Sequence, residues 1–256
     1  MRVVITGADG QLGMALQSTL TGHHLIPLTR PSFDLLQPSS IDQIVAAAPQ
    51  VVIHAAAFTN VDGAEREPDV AMKVNAEGTE RVAKAAARVG ARLIAISTDY
   101  VFDGNKTQPY KEEDVPNPLN AYGRSKLAGE RAALAENPDT LIVRTAWLYG
   151  AHGKNFVKTI LRAALEKPEL NVVNDQQGSP TNAEDLASAL AFLLSSDMKG
   201  IVHAVNGGHC TWFEFASVIV KLAGLHTPVR PITTQELASQ TVRPKCSVLS
   251  CQKLET

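Results

Sequence analysis

The sequence predicts an α/β fold built on a doubly wound parallel sheet with a smaller C-terminal lobe. Three observations carry this. Short apolar runs rich in β-branched residues alternate with helical patterns through the first 150 residues. The first run, Arg2–Thr6, passes directly into Thr6-Gly7-Ala8-Asp9-Gly10-Gln11-Leu12-Gly13, with glycines at G-x-x-G-x-x-G spacing. Leu12, Leu16 and Leu20 then recur at helical spacing, so the turn opens a helix.

A strand, a glycine-rich turn and a helix in that order make the Rossmann-type signature for a dinucleotide. Gly7 suits a tight turn, Gly10 a close backbone approach, and Gly13 close packing of helix on strand. The helix would aim its free N–H groups, those of Gln11 and Leu12 among them, at a pyrophosphate.

The second strand is His24–Thr29. A Rossmann unit usually places an acid at its end; this chain has Thr29 and Arg30. An Arg there suits a 2′-phosphate, which favours NADPH over NADH, with NADH still possible; the alternative is a solvated surface Arg. Asp34 and Leu35 follow, where the carboxylate can accept from an adenine amino group or cap a turn. Ser39 or Ser40 is positioned to cap a helix through about Ala48. Val51–Ala57 reads as the next buried strand, and Ala55, Ala56 and Ala57 at its end would let a cofactor lie against backbone. His54 reads as a core histidine. Pro68–Arg88 is a long Ala-rich helical stretch with Asn75 in a structural role. Strands at Arg92–Ser97 and Leu141–Thr145 flank a helix running from Tyr122 to about Glu136. Beyond Gly150, helices are expected at Asn155–Glu166, Asn182–Ser195 and Trp212–Ala223. These define a dinucleotide domain over residues 1–150 and a smaller, partly interleaved substrate lobe over 151–256.

Of the 256 residues, 45% are hydrophobic and 20% charged, ordinary for a folded α/β protein. A net charge of −2 supplies no basic field, so nucleic acid and membrane surfaces are not expected partners. Three cysteines, Cys210, Cys246 and Cys251, lack CxxC spacing and fit reduced thiols in a cytoplasmic protein. No signal-peptide pattern precedes the first strand.

The chemistry lies in Thr98, Tyr122 and Lys126. Tyr122 and Lys126 stand at i and i+4, on one face of a helix. A free tyrosine has a pKa of about 10, and a nearby ammonium stabilises its phenolate. The same Lys can hydrogen-bond a nicotinamide ribose. Thr98 ends a strand, where open α/β sheets place ligands, and its hydroxyl can hold a carbonyl oxygen beside the Tyr proton. Behind a dinucleotide turn, this trio specifies hydride transfer to or from a carbonyl.

The TGxxGxxG turn, Ser97-Thr98 and YxxxK together resemble the extended short-chain dehydrogenase/reductases. Within them, the stretches 56–65, 97–104, 118–126, 144–150 and 175–181 are similar to the dTDP-4-dehydrorhamnose reductase family. Sugar-nucleotide dehydratases of the same superfamily typically read Thr-Asp-Glu where this chain has Thr98-Asp99-Tyr100. The resemblance implies NAD(P)H-dependent reduction of the C4 ketone of dTDP-4-dehydro-L-rhamnose, a nucleotide sugar. It implies Thr98, Tyr122 and Lys126 as catalytic residues. It places Thr59, Val61, Thr98, Asp99, Tyr100, Tyr122 and Trp147 on the substrate side, with core packing after a strand as the alternative for Trp147. Arg243 either faces the substrate diphosphate as a bidentate fork or is a surface Arg.

Some family members bridge dimers through Mg²⁺ held by glutamates. One of those positions is Ala15 here, although Glu184 matches another, so no metal site and a monomer or weak homodimer are expected. Family chains usually run on beyond Leu254. An end at Thr256 suggests a region mobile from about Thr233 and uncovered apolar faces on the last two long helices. A relative of the family serves as a non-enzymatic NADP-binding regulatory subunit of methionine adenosyltransferase. The trio does not exclude such a role; the Gly178–Thr181 stretch favours the reductase.

Overall fold

The computed structural model describes residues 1–255. Its main sheet is parallel and six-stranded. Five of the strands are β1 (Arg2–Thr6), β2 (His24–Leu28), β3 (Val51–His54), β4 (Arg92–Thr98) and β5 (Thr140–Thr145), and the sixth is Gly200–His203. Across the sheet the order is Gly200–His203, β5, β4, β3, β1, β2. The chain turns outward from β1 to β2 and then returns past β1 to β3. The order therefore reverses between β1 and β3, and open α/β sheets bind ligands in the crevice at such a switch point. β2 is the edge strand, which is why Pro27, lacking an N–H, is tolerated opposite Ile5.

Alternate residues of each strand serve the two faces. Val3, Ile5, Ile53, Ile94, Leu141 and Val143 pack with helix α1 (Gln11–Thr19) and with the helix Ala183–Leu194. Val4, Val52, Leu93, Ala95 and Ile142 face the helix Gly78–Arg88 and its neighbours. Both faces are thus covered, as a parallel sheet with uniformly apolar strands requires.

Three local expectations are corrected. Ser39 and Ser40 do not cap a helix: they lie in a 3₁₀ turn, Pro38–Ile41, and Ser40 Oγ instead accepts from the Asp34 N–H at 3.1 Å. The Pro68–Arg88 stretch is helical but interrupted by a π turn at Lys73–Glu77. The turn serves Asn75, whose amide pairs both backbone groups of Phe58 (2.8 and 3.0 Å) and reaches Ser125 Oγ at 3.0 Å. The helix near Asn182–Ser195 is not short of cover, because Leu186, Ala187, Leu190 and Leu193 are fully buried under the main sheet beside α1. Beyond Thr233, residues 248–250 are joined to Tyr110. Tyr110 N–H donates to Val248 O and Ser250 N–H to Tyr110 O, each at 2.8 Å, and Val248 and Leu249 are buried.

In the later part of the chain the helices Phe156–Glu166 and Trp212–Leu222 pack with a parallel pair, Leu170–Val173 with Val229–Ile232. Ile160, Ala216 and Ile219 form a small core there. Two further short pairs, Leu148–Tyr149 with Thr181–Asn182 and Gln177–Gly178 with Cys210–Thr211, tie this part to the end of β5. No helix among the described residues is long and apolar enough to cross a membrane.

Candidate active site

The crevice at the switch point is built from backbone. Gly7 has φ +68°, and a Cβ there would lie 2.8 Å from the Ala56 backbone. The glycine turn and the Ala55–Ala57 segment are therefore pressed together at the carboxyl ends of β1 and β3. Thr6 bridges them: its carbonyl accepts from Ala55 N–H and its hydroxyl from Ala56 N–H. At Gly10 a Cβ would meet only the Gly7 oxygen, at 3.2 Å, so that side of the turn is open. Helix α1 starts there with neither a side-chain cap nor an acidic residue in its first turn. Its leading N–H groups are left for an anion. These features fit a dinucleotide pyrophosphate. Leu12 offers only its N–H, because its side chain is in the core. The Gln11 side chain accepts from Asn155 Nδ2 at 2.9 Å, which fixes the rim.

Gly13 lies on the crowded side. A Cβ there would fall 2.3 Å from Gly7 O and 2.5 Å from Ala8 Cα, both backbone atoms. Alanine ordinarily favours a helix over glycine by up to about 1 kcal/mol. Here the overlap wins, so Gly13→Ala should lose about 1–3 kcal/mol of stability by urea titration. A midpoint equal to the parent's would mean that the turn and helix can separate freely.

Farther along the crevice, Arg30 is exposed just past β2. Asp34 Oδ1 accepts from Leu36 N–H at 2.9 Å, the turn-capping alternative. Leu35 is buried beneath it against Gly78.

The trio converges at the end of β4. Thr98 and Lys126 are buried, and the Thr98 hydroxyl is within hydrogen-bond reach of the Tyr122 phenol. Asn120 caps the helix Ala121–Glu136, its side chain accepting from Gly123 N–H at 2.9 Å, so Tyr122 and Lys126 rise from a fixed first turn. Gly123 allows this approach, since a Cβ would sit 2.1 Å from Tyr100 O. Lys126 Nζ donates to Ile96 O at 2.7 Å. Burial pulls Lys126 down to about 8, against the upward pull of Glu130. The Tyr122 phenol departs from expectation. Burial pushes it up to about 12, Thr98 opposes this and Asp99 adds to it; the Lys126 charge is not among the causes. The phenol is thus held protonated at neutral pH. That is the form a proton donor needs.

The substrate-side candidates divide. Asp99 and Tyr100 are buried beside Tyr122, with the Tyr100 and Tyr122 rings edge-to-face at 5.9 Å. Burial pushes Asp99 up to about 6, opposed by Ser247 and by the Thr98 hydroxyl that donates to its Oδ1 at 3.0 Å; its Oδ2 has no partner among the described residues. Thr59 is exposed in the loop after β3, and Val61 opens the helix Val61–Arg66. Arg243 is neither free at the surface nor unengaged: its Nη2 donates to Asp62 Oδ1 at 2.6 Å and its Nη1 to Ser239 Oγ at 2.7 Å. Its positive charge also acts on the Tyr100 hydroxyl, against the upward push of burial and Asp99. Trp147 has φ +47° and stacks on Trp212 at 3.4 Å, with Gly178 leaving room for its ring. It follows Thr145, which is paired with Thr98, and so stands at the same sheet end.

His54 is a core residue. Thr79 Oγ1 gives its proton to Asn75 O, so His54 Nε2 donates to Thr79 and Nδ1 accepts from Thr6. Burial, aided by Lys126, lowers its pKa to about 3 and keeps it neutral.

Sequence reasoning missed the group behind Lys126. Arg144 clasps Glu130 with Nε to Oε1 at 2.9 Å and Nη2 to Oε2 at 2.7 Å, and Ser97 Oγ donates to the same carboxylate at 2.5 Å. The available signals were an Arg inside an apolar buried strand and a Glu four residues after Lys126.

A reversed-order parallel sheet with a glycine cradle at its switch point and a Thr/Tyr/Lys group at its edge defines a nucleotide-dependent reductase of the short-chain dehydrogenase/reductase class. Comparison with known proteins narrows this. The family described as RmlD substrate binding domain matches residues 1–256, and the chain belongs to that family. A dTDP-4-dehydrorhamnose reductase of Sinorhizobium fredii is 42% identical over all of this chain and 90% of its own length. The spore coat polysaccharide biosynthesis protein SpsK of Bacillus subtilis is 43% identical over 99% of this chain and 90% of its own. The crystal structure of a Bacillus anthracis dTDP-4-dehydrorhamnose reductase in complex with NADP superposes with a TM-score of 0.96 at 43% identity, covering 99% of this chain and 92% of that one.

Proposed function

We propose that this chain is an NADPH-dependent dTDP-4-dehydrorhamnose reductase that converts the C4 ketone of dTDP-4-dehydro-L-rhamnose to the alcohol of dTDP-L-rhamnose. The observation that supports this reading is that Thr98, Tyr122 and Lys126 gather at the carboxyl end of β4, on the sheet that carries the glycine turn, in a chain about two-fifths identical to proteins of that name. Bound NADPH would supply the hydride. Thr98 hydrogen-bonds the ketone oxygen and sets its angle. Tyr122, protonated at neutral pH, passes its phenolic proton to the oxygen as the negative charge forms there. Lys126 holds the ribose and supplies positive charge as the phenolate appears. Tyr100, Asp99 and Trp147 line the sugar side. Arg243 exchanges part of its bonding to Asp62 for the substrate diphosphate. The nucleotide sugar enters at the Thr59–Val61 segment, and the chain works as a monomer or weak homodimer. Residues 1–150 carry the cofactor and much of the later chain the sugar nucleotide.

Adding the keto sugar to enzyme and NADPH should consume NADPH in proportion to sugar; no consumption by the folded protein would remove the reading. For the cofactor, Arg30 stands where an acid would repel a 2′-phosphate. Arg30→Ala should weaken NADPH about two- to fivefold and leave NADH unchanged, a screened surface contact that fades as salt rises. Fluorescence titration of both cofactors reads this, and equal losses for both would contradict it.

A further inference from the structure

A buried ammonium tends to lose its proton unless an opposite charge is held close. Lys126 is only 6% exposed, and the carboxylate whose charge acts on it is Glu130, one turn on along its helix and 4% exposed. Glu130 is not free to turn. It accepts one hydrogen bond from Ser97 and two from Arg144, whose guanidinium lies 5.1 Å over the Phe102 ring. Ser97 and Arg144 are paired across β4 and β5. Ser97 also follows Ile96, whose carbonyl accepts from Lys126. The carboxylate, the guanidinium and the acceptor of the lysine thus belong to one rigid strand end.

Between Lys126 and Glu130 lies a small cavity of about 10 Å³, lined also by Asn75, Thr79 and Ser97. It has room for about one water with polar partners on several sides. The other titratable groups around Lys126 are Tyr122 on its own helix, neutral His54 from β3, and Asp99 at the end of β4, which acts on Tyr122.

We propose that Glu130, locked by Arg144 and Ser97, is a positioning residue for the reduction, acting through Lys126 by keeping its ammonium charged and fixed at the end of β4. The proposal rests on the reductase reading above. A purely structural ion pair makes a different prediction. Neutral side chains of similar shape can replace a buried pair without loss of folding, and would then restore function too.

The test compares the parent chain, Glu130→Gln and the double variant Glu130→Gln/Arg144→Met. The double variant removes both members of the Arg144–Glu130 pair, so neither is left stranded and only Lys126 loses its counter-charge; it decides the matter if the single one does not fold. Nitrogen NMR on lysine-labelled protein, with the signal identified by Lys126→Arg, follows the ammonium directly. In the double variant its midpoint should fall by about one pH unit or more, a tenfold change in the proton equilibrium. The alkaline limb of kcat with keto sugar should move with it, while KM for NADPH changes little. A folded double variant whose Lys126 titrates as in the parent would overturn the proposal. If the parent fails to reduce the keto sugar, the reductase reading fails, and the NMR midpoint still decides the role of Glu130.

Discussion

Tyr122→Phe is expected to lower kcat about 10²–10⁴-fold, the range of a lost general acid. The variant keeps the ring that packs edge-to-face on Tyr100 and removes only the hydroxyl that meets Thr98. Stability and NADPH affinity should therefore stay close to those of the parent. The pH dependence follows from the same environment. Burial holds the Tyr122 pKa near 12, so the parent retains its proton throughout neutral pH. Lys126, near 8, titrates first, and activity should decline as pH rises through that value. Steady-state kinetics across pH 6–10 checks both statements, the range being chosen to bracket about 8. Near-parental turnover in Tyr122→Phe would show that another group donates the proton.

Arg144→Ala should cost about 3–5 kcal/mol of folding stability, since it strands a charged Glu130 in the interior. Side chains of this pair are 1% and 3% exposed, so solvent cannot take over the missing partner. The surface pair Arg230–Glu169 offers the contrast. At 64% and 41% exposed, its loss should move stability by under about 1 kcal/mol. Urea denaturation of both variants reads the difference. Equal midpoints would mean that Glu130 takes up a proton or finds water when Arg144 is gone.

The dinucleotide crevice was legible because its parts are local. A β-branched strand, three glycines and a leucine-spaced helix lie within twenty residues, and Gly7 against Ala56 is their direct consequence. The trio was legible because Tyr122 and Lys126 share a helix face and Thr98 ends a strand. What was hidden depends on pairing between distant segments. The register of Ser97 against Arg144 brings Glu130 into a clasp that no spacing in the chain announces. The return of Ala183–Leu194 to the main sheet beside α1 depends on which face its leucines find, and those leucines fit a separate lobe equally well by pattern. The Ser40 hydroxyl accepts from the Asp34 N–H rather than from a helix turn, a choice made by the fold of the loop before it. The Tyr122 environment was misread for a related reason. The i, i+4 spacing gives proximity to Lys126, but burial and the turn of the ammonium toward Ile96 decide the phenol's proton affinity.

The central claim is hydride delivery to the C4 ketone of a dTDP-linked 4-keto-6-deoxy sugar. Its most direct measurement uses NADPH carrying deuterium at the transferred nicotinamide C4 position, with NMR of the sugar product. The account predicts one deuterium at C4 of dTDP-L-rhamnose for each NADPH oxidised, with a single configuration at that carbon. NADPH that binds while the keto sugar is recovered unchanged, or deuterium that appears at any other carbon, would contradict it.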